Sequence, residues 1–397
     1  KAEVRLRDAV FSHDGSNIYT LSDESGEFEF VSMPSNGQGS EKRITNNGKV
    51  LRYGGNPSSD GKWIAYNDLE NNMYVLNIAN GVSKKISTNQ EDIGNFSWSP
   101  DNKWLAFVQM ASNTMAQIKV YNVDTGALFD LTTDRANSFN PKWSPDGKFI
   151  YFLSDRSFTS LVGSPWGPRQ PEPYFDASEK VYHVALKKGT RSPFREDDEL
   201  SSDAKKEDKP DETDKKDKGK KEEKEDKVTV TIDQDGIQNR IVEVPVSAGN
   251  YYGLEVNKSA LYLMSTTTGI KTKNHLSFIK IDNKEVSLKT MVSDIEGFEL
   301  VGNGEKILLN KGKDYHMIEA GTSEVKDLSK SKINLSDWKF PITPKEDWKQ
   351  IFTDAWRMER DYFYDKNMHG VDWDAMHAKY LPLVDRVTTR SELSDLI

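Results

Sequence analysis

Six histidines are the residues of this 397-residue chain best suited to acid–base work: His13, His183, His275, His316, His369 and His377. A histidine becomes a catalytic base only beside a nucleophile and an orienting group, or a metal ligand at a fixed spacing. His13 stands in a turn, which predicts a surface role. His183, His275 and His316 fall in strand patterns with no carboxylate motif beside them. His369 and His377 lie eight residues apart across a glycine turn, not at the i, i+4 spacing of a helical metal site. No Gly-x-Ser-x-Gly elbow and no phosphate-binding glycine loop occurs. Asp372 and Asp374 read as charges that suit a helix N-terminus. Cysteine is absent, which excludes disulfides, thiolate ligands and a cysteine nucleophile. The reading therefore assigns no catalytic residue, no cofactor-binding residue and no metal ligand within the chain.

The elements that would position any chemistry are repeats. FSWSPDNKWLAFVQ (96–109) and PKWSPDGKFIYFLS (141–154) are the clearest copies, with looser ones at 9–22 and 56–68. The shared aspartate falls at Asp14, Asp60, Asp101 and Asp146, at intervals of 46, 41 and 45 residues. Ser-Pro-Asp-Gly is a turn in which proline presets φ, aspartate bonds the local backbone and glycine accepts positive φ. Asn102 replaces the glycine once, as the residue next most tolerant of that conformation. A nearly continuous apolar strand follows each turn, as in Trp63–Tyr66 and Phe149–Phe152, and further strands separated by tight turns complete the unit. About four short strands in about 45 residues is the size of a β-propeller blade. Degenerate copies at 245–265 and 300–312 bring the count to six. The expected fold is mainly β, a propeller of four-stranded blades over 1–335, followed by a short α-helical segment.

Blade four is interrupted twice. Residues 158–175 form a long Pro/Gly/aromatic loop containing Trp166 and Arg169, fit either for a channel or partner or for packing on the rim. Residues 187–227 read as a disordered charged insertion, with ten lysines and ten acidic residues between Ala204 and Lys227. A net charge of −9 argues against nucleic acid or an anionic membrane as partner. No run of about 18 apolar residues spans a bilayer.

Past residue 340 the periodicity changes to helical. Thr343-Pro344-Lys345-Glu346 predicts a capped start, and Trp348, Ile351, Phe352, Ala355, Trp356, Tyr362 and Phe363 share one face of a helix expected to reach about Tyr364. Asp372 caps a second helix whose inner face is Trp373, Met376, Tyr380 and Leu381. TTRSELSDLI (388–397) begins a third, with Thr389 and Glu392 as a capping box. Leu393, Leu396 and Ile397 are expected to be poorly packed.

DAWRMERDYFYDKNMHGVDWDAMHAKYLPLVDRVTTRSELSDLI (354–397) resembles the opening of the first catalytic subdomain of the tricorn proteases, serine peptidases. The matching elements are Ala355-Trp356-Arg357, Arg360-Asp361, Phe363, Met368 to Trp373, Tyr380 and Arg390 to Leu393. The SPDG repeat is similar to that of the same family, and also to TolB and the prolyl oligopeptidases. The tricorn resemblance implies a seven-bladed ring of which this chain carries six units, and a helical start of a catalytic subdomain over 340–397. It implies a catalytic Ser-His motif and a nucleophilic serine beyond Ile397; His369 and His377 do not match the family's histidine. It also implies a chain inactive by itself. The intact serine peptidase would be a cytoplasmic homo-oligomer without cofactors, export remaining open, whose propeller gates peptide substrates. Two alternatives stay open: a non-enzymatic, protein-binding TolB-like propeller, and the propeller of a prolyl-oligopeptidase-type hydrolase.

Overall fold

The fold is built on the repeated turn. In a computed structural model that describes residues 4–163, 172–198 and 228–397, the serine of each turn is its pivot. Ser58 Oγ donates to Asp60 Oδ1 at 2.7 Å and accepts from the Trp63 amide at 3.0 Å. Ser12, Ser99 and Ser144 repeat this pattern, and all four serines are buried. Gly15, Gly61 and Gly147 take φ of 69°, 68° and 69°, and Asn102 takes 58°, so the residue after aspartate is left-handed each time. At the first turn the hydroxyl of Ser12, then the amide and hydroxyl of Ser16, hold the Asp14 carboxyl down at about 2.

Each turn joins the first two strands of an antiparallel sheet. The first sheet is β1 (Leu6–Phe11), β2 (Asn17–Ser22), β3 (Glu29–Pro34) and β4 (Lys42–Arg43). The second is β5 (Asn56–Pro57), β6 (Trp63–Asn67), β7 (Asn72–Asn77) and β8 (Ser83–Thr88). The third is β9 (Ile93–Trp98), β10 (Trp104–Met110), β11 (Ala116–Asn122) and β12 (Leu128–Asp130). The fourth is β13 (Ser138–Trp143), β14 (Phe149–Ser154), β15 (Lys180–Ala185) and β16 (Ile241–Glu243). The fifth is β17 (Asn250–Val256), β18 (Ala260–Thr266), β19 (Asn274–Lys280) and β20 (Leu288–Ser293). These are propeller blades, and the six repeats of the sequence correspond to six sheets.

The sixth sheet departs from four strands among the described residues: β21 (Gly297–Val301), β22 (Lys306–Lys311) and β23 (Asp314–Glu319). Its fourth position is held by a short stretch in which Ser331 and Ile333 bond β23 around a single His316–Lys332 bridge. Lys330, Ser331 and Lys332 offer no apolar residue to extend that pairing inward.

The chain divides into two compact units. One contains residues 1–93 and 334–397, the other residues 94–333. In the second unit the cores lie between successive sheets. Ile118, Val120 and Trp143 share one cluster with Ile150 and Phe152, and Tyr151, Val181, Leu254 and Leu263 share the next. Central strands such as β14 are buried along their whole length, which explains their unbroken apolar character.

The disorder expected from Lys187 does not begin there. Phe194 is buried against Tyr151 and His183, and Arg191 and Arg195 both pair with Asp198, so residues 187–198 are folded. The rest of that expectation, 199–227, lies outside the described residues, as do Trp166 and Arg169 of the 158–175 loop. The base of that loop is a short hairpin, with a Ser160–Phe175 bridge and Phe158 edge-on to Phe175.

Three helices close the chain: α1 (Pro344–Tyr362), α2 (Trp373–Tyr380) and α3 (Arg390–Leu396). Thr343 makes no side-chain cap, so the expected capping box at α1 is not formed; its carbonyl alone accepts the amides of Glu346 and Asp347. The other two starts are capped as expected. Asp372 accepts from the Ala375 amide at 2.9 Å, and Thr389 from that of Glu392 at 3.2 Å. Leu393 is fully buried with Phe352, Val384 and Val387. The expectation of a loose Leu393 is therefore corrected: Phe352 of α1, Val384 of the 3-10 turn Leu381–Arg386 and Val387 just after it are its partners. Ile397 is 54% exposed.

Candidate functional site

The histidines occupy six separate environments. His13 is exposed in its turn. His183, on β15, is 1% exposed among Phe149, Tyr151 and Phe194, and neither ring nitrogen has a partner among the described residues. Burial pushes it down to about 4, so it is neutral in this fold at ordinary pH. Nδ1 of His275 is buried without a partner among the described residues. His316 Nδ1 lies 3.2 Å from both the Leu328 carbonyl and Ser331 Oγ. His369 takes φ of 52° and shares a hydrogen bond with the Tyr364 hydroxyl. His377 packs on Trp356 and Phe352 and is held below its ordinary range by burial and then by Arg357. In no case does a serine–histidine–carboxylate arrangement assemble among the described residues. His369 and His377 stand apart, each with its own aromatic partners.

A more informative feature lies at the inner edge of the blades in the unit 94–333. Here β13 packs on β10 and β11, β17 on β13 and β14, and β21 on β17, so the first strands are where blades converge. The first strands β9, β13 and β17 are each bent by a residue with positive φ: Asn95 at 52°, Asn140 at 52° and Gly253 at 63°. In β13 and β17 the bend is a bulge, between Phe139 and Lys142 and between Tyr252 and Glu255. The bends tie successive blades together. The amide and Nδ2 of Asn140 both donate to Asn95 Oδ1 at 3.2 Å, and the Gly253 amide donates to Asn140 Oδ1 at 3.0 Å. Lys142 and Glu255 add an ion pair at 2.6 Å between the same strands, and Trp143 Nε1 donates to the Ser97 carbonyl at 2.9 Å. Asn95, Tyr252 and Glu299 remain exposed along this edge. Sequence reasoning missed this ladder although its signal was present. Asn95 and Asn140 hold the same repeat position, three residues before Trp98 and Trp143 and 45 residues apart.

In the other unit, α1 presents two faces. One helps form an open aromatic groove of about 580 Å³, lined by Trp356, Met358, Trp373, Met376, Tyr380 and Ile397 among others. Trp356 and Trp373 exchange hydrogen bonds, each indole donating to the other's carbonyl at 2.8 and 3.0 Å, which fixes both rings. The opposite face is polar and meets the blades. Arg357 donates to Asp23 Oδ2 at 2.7 Å and to the Gly26 carbonyl at 2.9 Å. Arg360 forks onto Glu27 at 2.6 and 3.0 Å. Burial alone would raise the Asp23 carboxyl; hydrogen bonds from Arg357, Gln350 and the Arg5 amide outweigh it and hold the group below the usual carboxylate range. Tyr362, expected on the inner apolar face, is exposed and meets the Tyr53 hydroxyl at 3.4 Å. Burial and then that neighbour push Tyr53 up to about 12.

Two family models match this chain. Residues 1–321 match the tricorn protease second β-propeller domain, and residues 344–397 the tricorn protease C1 domain. Tricorn protease homolog 1 of Streptomyces coelicolor is 26% identical over 88% of this chain and 33% of its own length. A putative tricorn-like protease C-terminal subunit of Sulfurisphaera tokodaii is 27% identical over all of this chain and 43% of its own. The crystal structure of the tricorn protease superposes on 99% of this chain with a TM-score of 0.79 at 15% identity, covering 36% of that protein, which shows the shared fold. The chain thus spans less than half the length of these curated relatives.

Proposed function

The chain belongs to the tricorn protease family, and on that premise we propose that it is the second propeller and the start of the first catalytic subdomain of a serine peptidase that degrades peptides. The observation that carries this reading is the pair of family matches in sequence order, propeller and then C1 domain. A helical C1 start after the propeller fits neither a TolB-like binding propeller nor a prolyl-oligopeptidase-type hydrolase.

In this reading the nucleophilic serine and its histidine base lie outside this chain, and none of its own six histidines takes that role. The intact enzyme is a cytoplasmic homo-oligomer that needs no cofactor. Its ring has seven blades, and the propeller admits peptide substrates along the inner edge of its blades. The exposed Asn95 and Tyr252, on strands held by the asparagine ladder, and Glu299 are the groups a passing peptide meets. Backbone amides and carbonyls of an extended peptide pair well with such side chains, whatever its sequence.

The test is to narrow this edge in the intact peptidase with Asn95→Trp and Tyr252→Trp. A loss of about tenfold or more in kcat/KM on peptides of ten or more residues, with a dipeptide reporter unaffected, is expected; tenfold corresponds to about 1.4 kcal/mol. Equal effects on both substrates, or none on either, contradict the gating role.

A further inference from the structure

The helical unit and the blades it meets have separate cores. Phe352, Val384, Val387 and Leu393 form one cluster, with Trp348, Ile351, Leu381 and Leu396 around it. Leu21, Phe30, Ile64, Tyr66 and Leu76 form the other, which contains no helical residue. What joins them is polar. From the blades come Arg5, Asp23, Glu27 and Glu70; from the helical side come Gln350, Asp354, Arg357, Arg360 and Lys366. Arg5 pairs with Asp354, Asp23 with Gln350 and Arg357, Glu27 with Arg360, and Glu70 with Lys366 at 3.0 Å. Asp361 braces Arg360 from within α1, and the Tyr53 and Tyr362 phenols complete the contact. The Phe28 ring lies under the Arg357 guanidinium at this joint.

Such a joint is strong only while its charges stay paired and dry. Arg357 is buried, yet its Nε has no partner among the described residues, so exposing it to water returns solvation that the docked state withholds. The chain leading into α1, residues 334–343, forms neither helix nor strand and leaves Trp338, Phe340 and Ile342 exposed, so it does not fix the helices in place. Two separately cored bodies, a polar joint and an unpacked connector are the parts of a hinge.

We propose that the helical unit, residues 344–397, is a hinged body latched to the first two blades by these ion pairs, and that it lifts off them as a folded whole when the latch opens. The inference rests on the joint itself and holds whatever reaction the intact protein performs.

The chain has no cysteine, so Asn36→Cys on the first blade and Ala378→Cys on α2, both exposed, give a clean pair of spin-label sites. At low salt one narrow distance is expected. At about 1 M salt, where screening acts over about 3 Å, or with Arg357→Met or Arg360→Met, a second and longer distance should appear while the helical circular dichroism stays unchanged. If Arg357→Met does not fold, the salt series and Arg360→Met decide alone. A single distance under all conditions overturns the proposal. So does a longer distance that appears only as helical signal is lost, because the unit would then unfold rather than lift.

Discussion

His183 is an imidazole held neutral in a dry aromatic box, and that has a consequence for stability. Its folded value lies near 4 against an ordinary 6.5, so the unfolded chain takes up the proton first as pH falls. The contribution is fully present above about 6.5, shrinks as pH drops below that, and levels off near 4, where the folded form also protonates. The full span is about 3 kcal/mol. His183→Phe should remove that slope, so the difference between the denaturant midpoints of variant and wild type should shift in the variant's favour between pH 6.5 and 4. Parallel curves would contradict the assignment. For the repeated turn, sequence reading credits proline, aspartate and glycine, but the structure makes buried serine the hub, because its hydroxyl serves both the aspartate and the strand amide. Ser99→Ala should therefore cost about 1–3 kcal/mol in thermal or urea unfolding, more than the about 0.4–1 kcal/mol expected for Pro100→Ala. The reverse order would show that φ restriction is what the turn needs.

The elements themselves were largely legible. Turn and strand at a period of about 45 residues are local patterns, and local patterns are what a sequence displays. The sixth blade's missing strand was not legible, because a strand fails there through lack of apolar residues in a segment that no turn signal bounds. Tertiary partners were harder still. Arg357 and Arg360 were noted as motif residues, but nothing local says that they reach Asp23 and Glu27, more than 300 positions away in sequence. The same holds for Leu393, whose burial depends on Val384, in a turn that the apolar spacing did not announce, and on Val387 just after it. At the inner edge, Asn140 is bonded to both neighbours, so its loss should be coupled to theirs. Asn95→Ala and Asn140→Ala, measured singly and together by urea unfolding, should be non-additive by about 0.5 kcal/mol or more. Additive effects would mean that the ladder contributes nothing as a unit.

At the scale of the whole molecule, the family is shown by matches over nearly the entire chain, while the site of peptide hydrolysis is proposed to lie elsewhere. Of the histidines, His13 sits in a turn, His183 and His316 are buried, and His369 and His377 lie against aromatic rings. On the proposed reading the propeller would contribute access and the helices placement, through a joint whose charges can be counted. The most direct measurement compares peptide hydrolysis by this 397-residue chain with that by the intact protein, at equal molar concentration. No turnover above blank is expected from the chain alone, and clear turnover, abolished by serine-directed inhibitors, from the intact protein. Hydrolysis by the isolated chain at a rate approaching that of the intact protein would contradict the proposed reading.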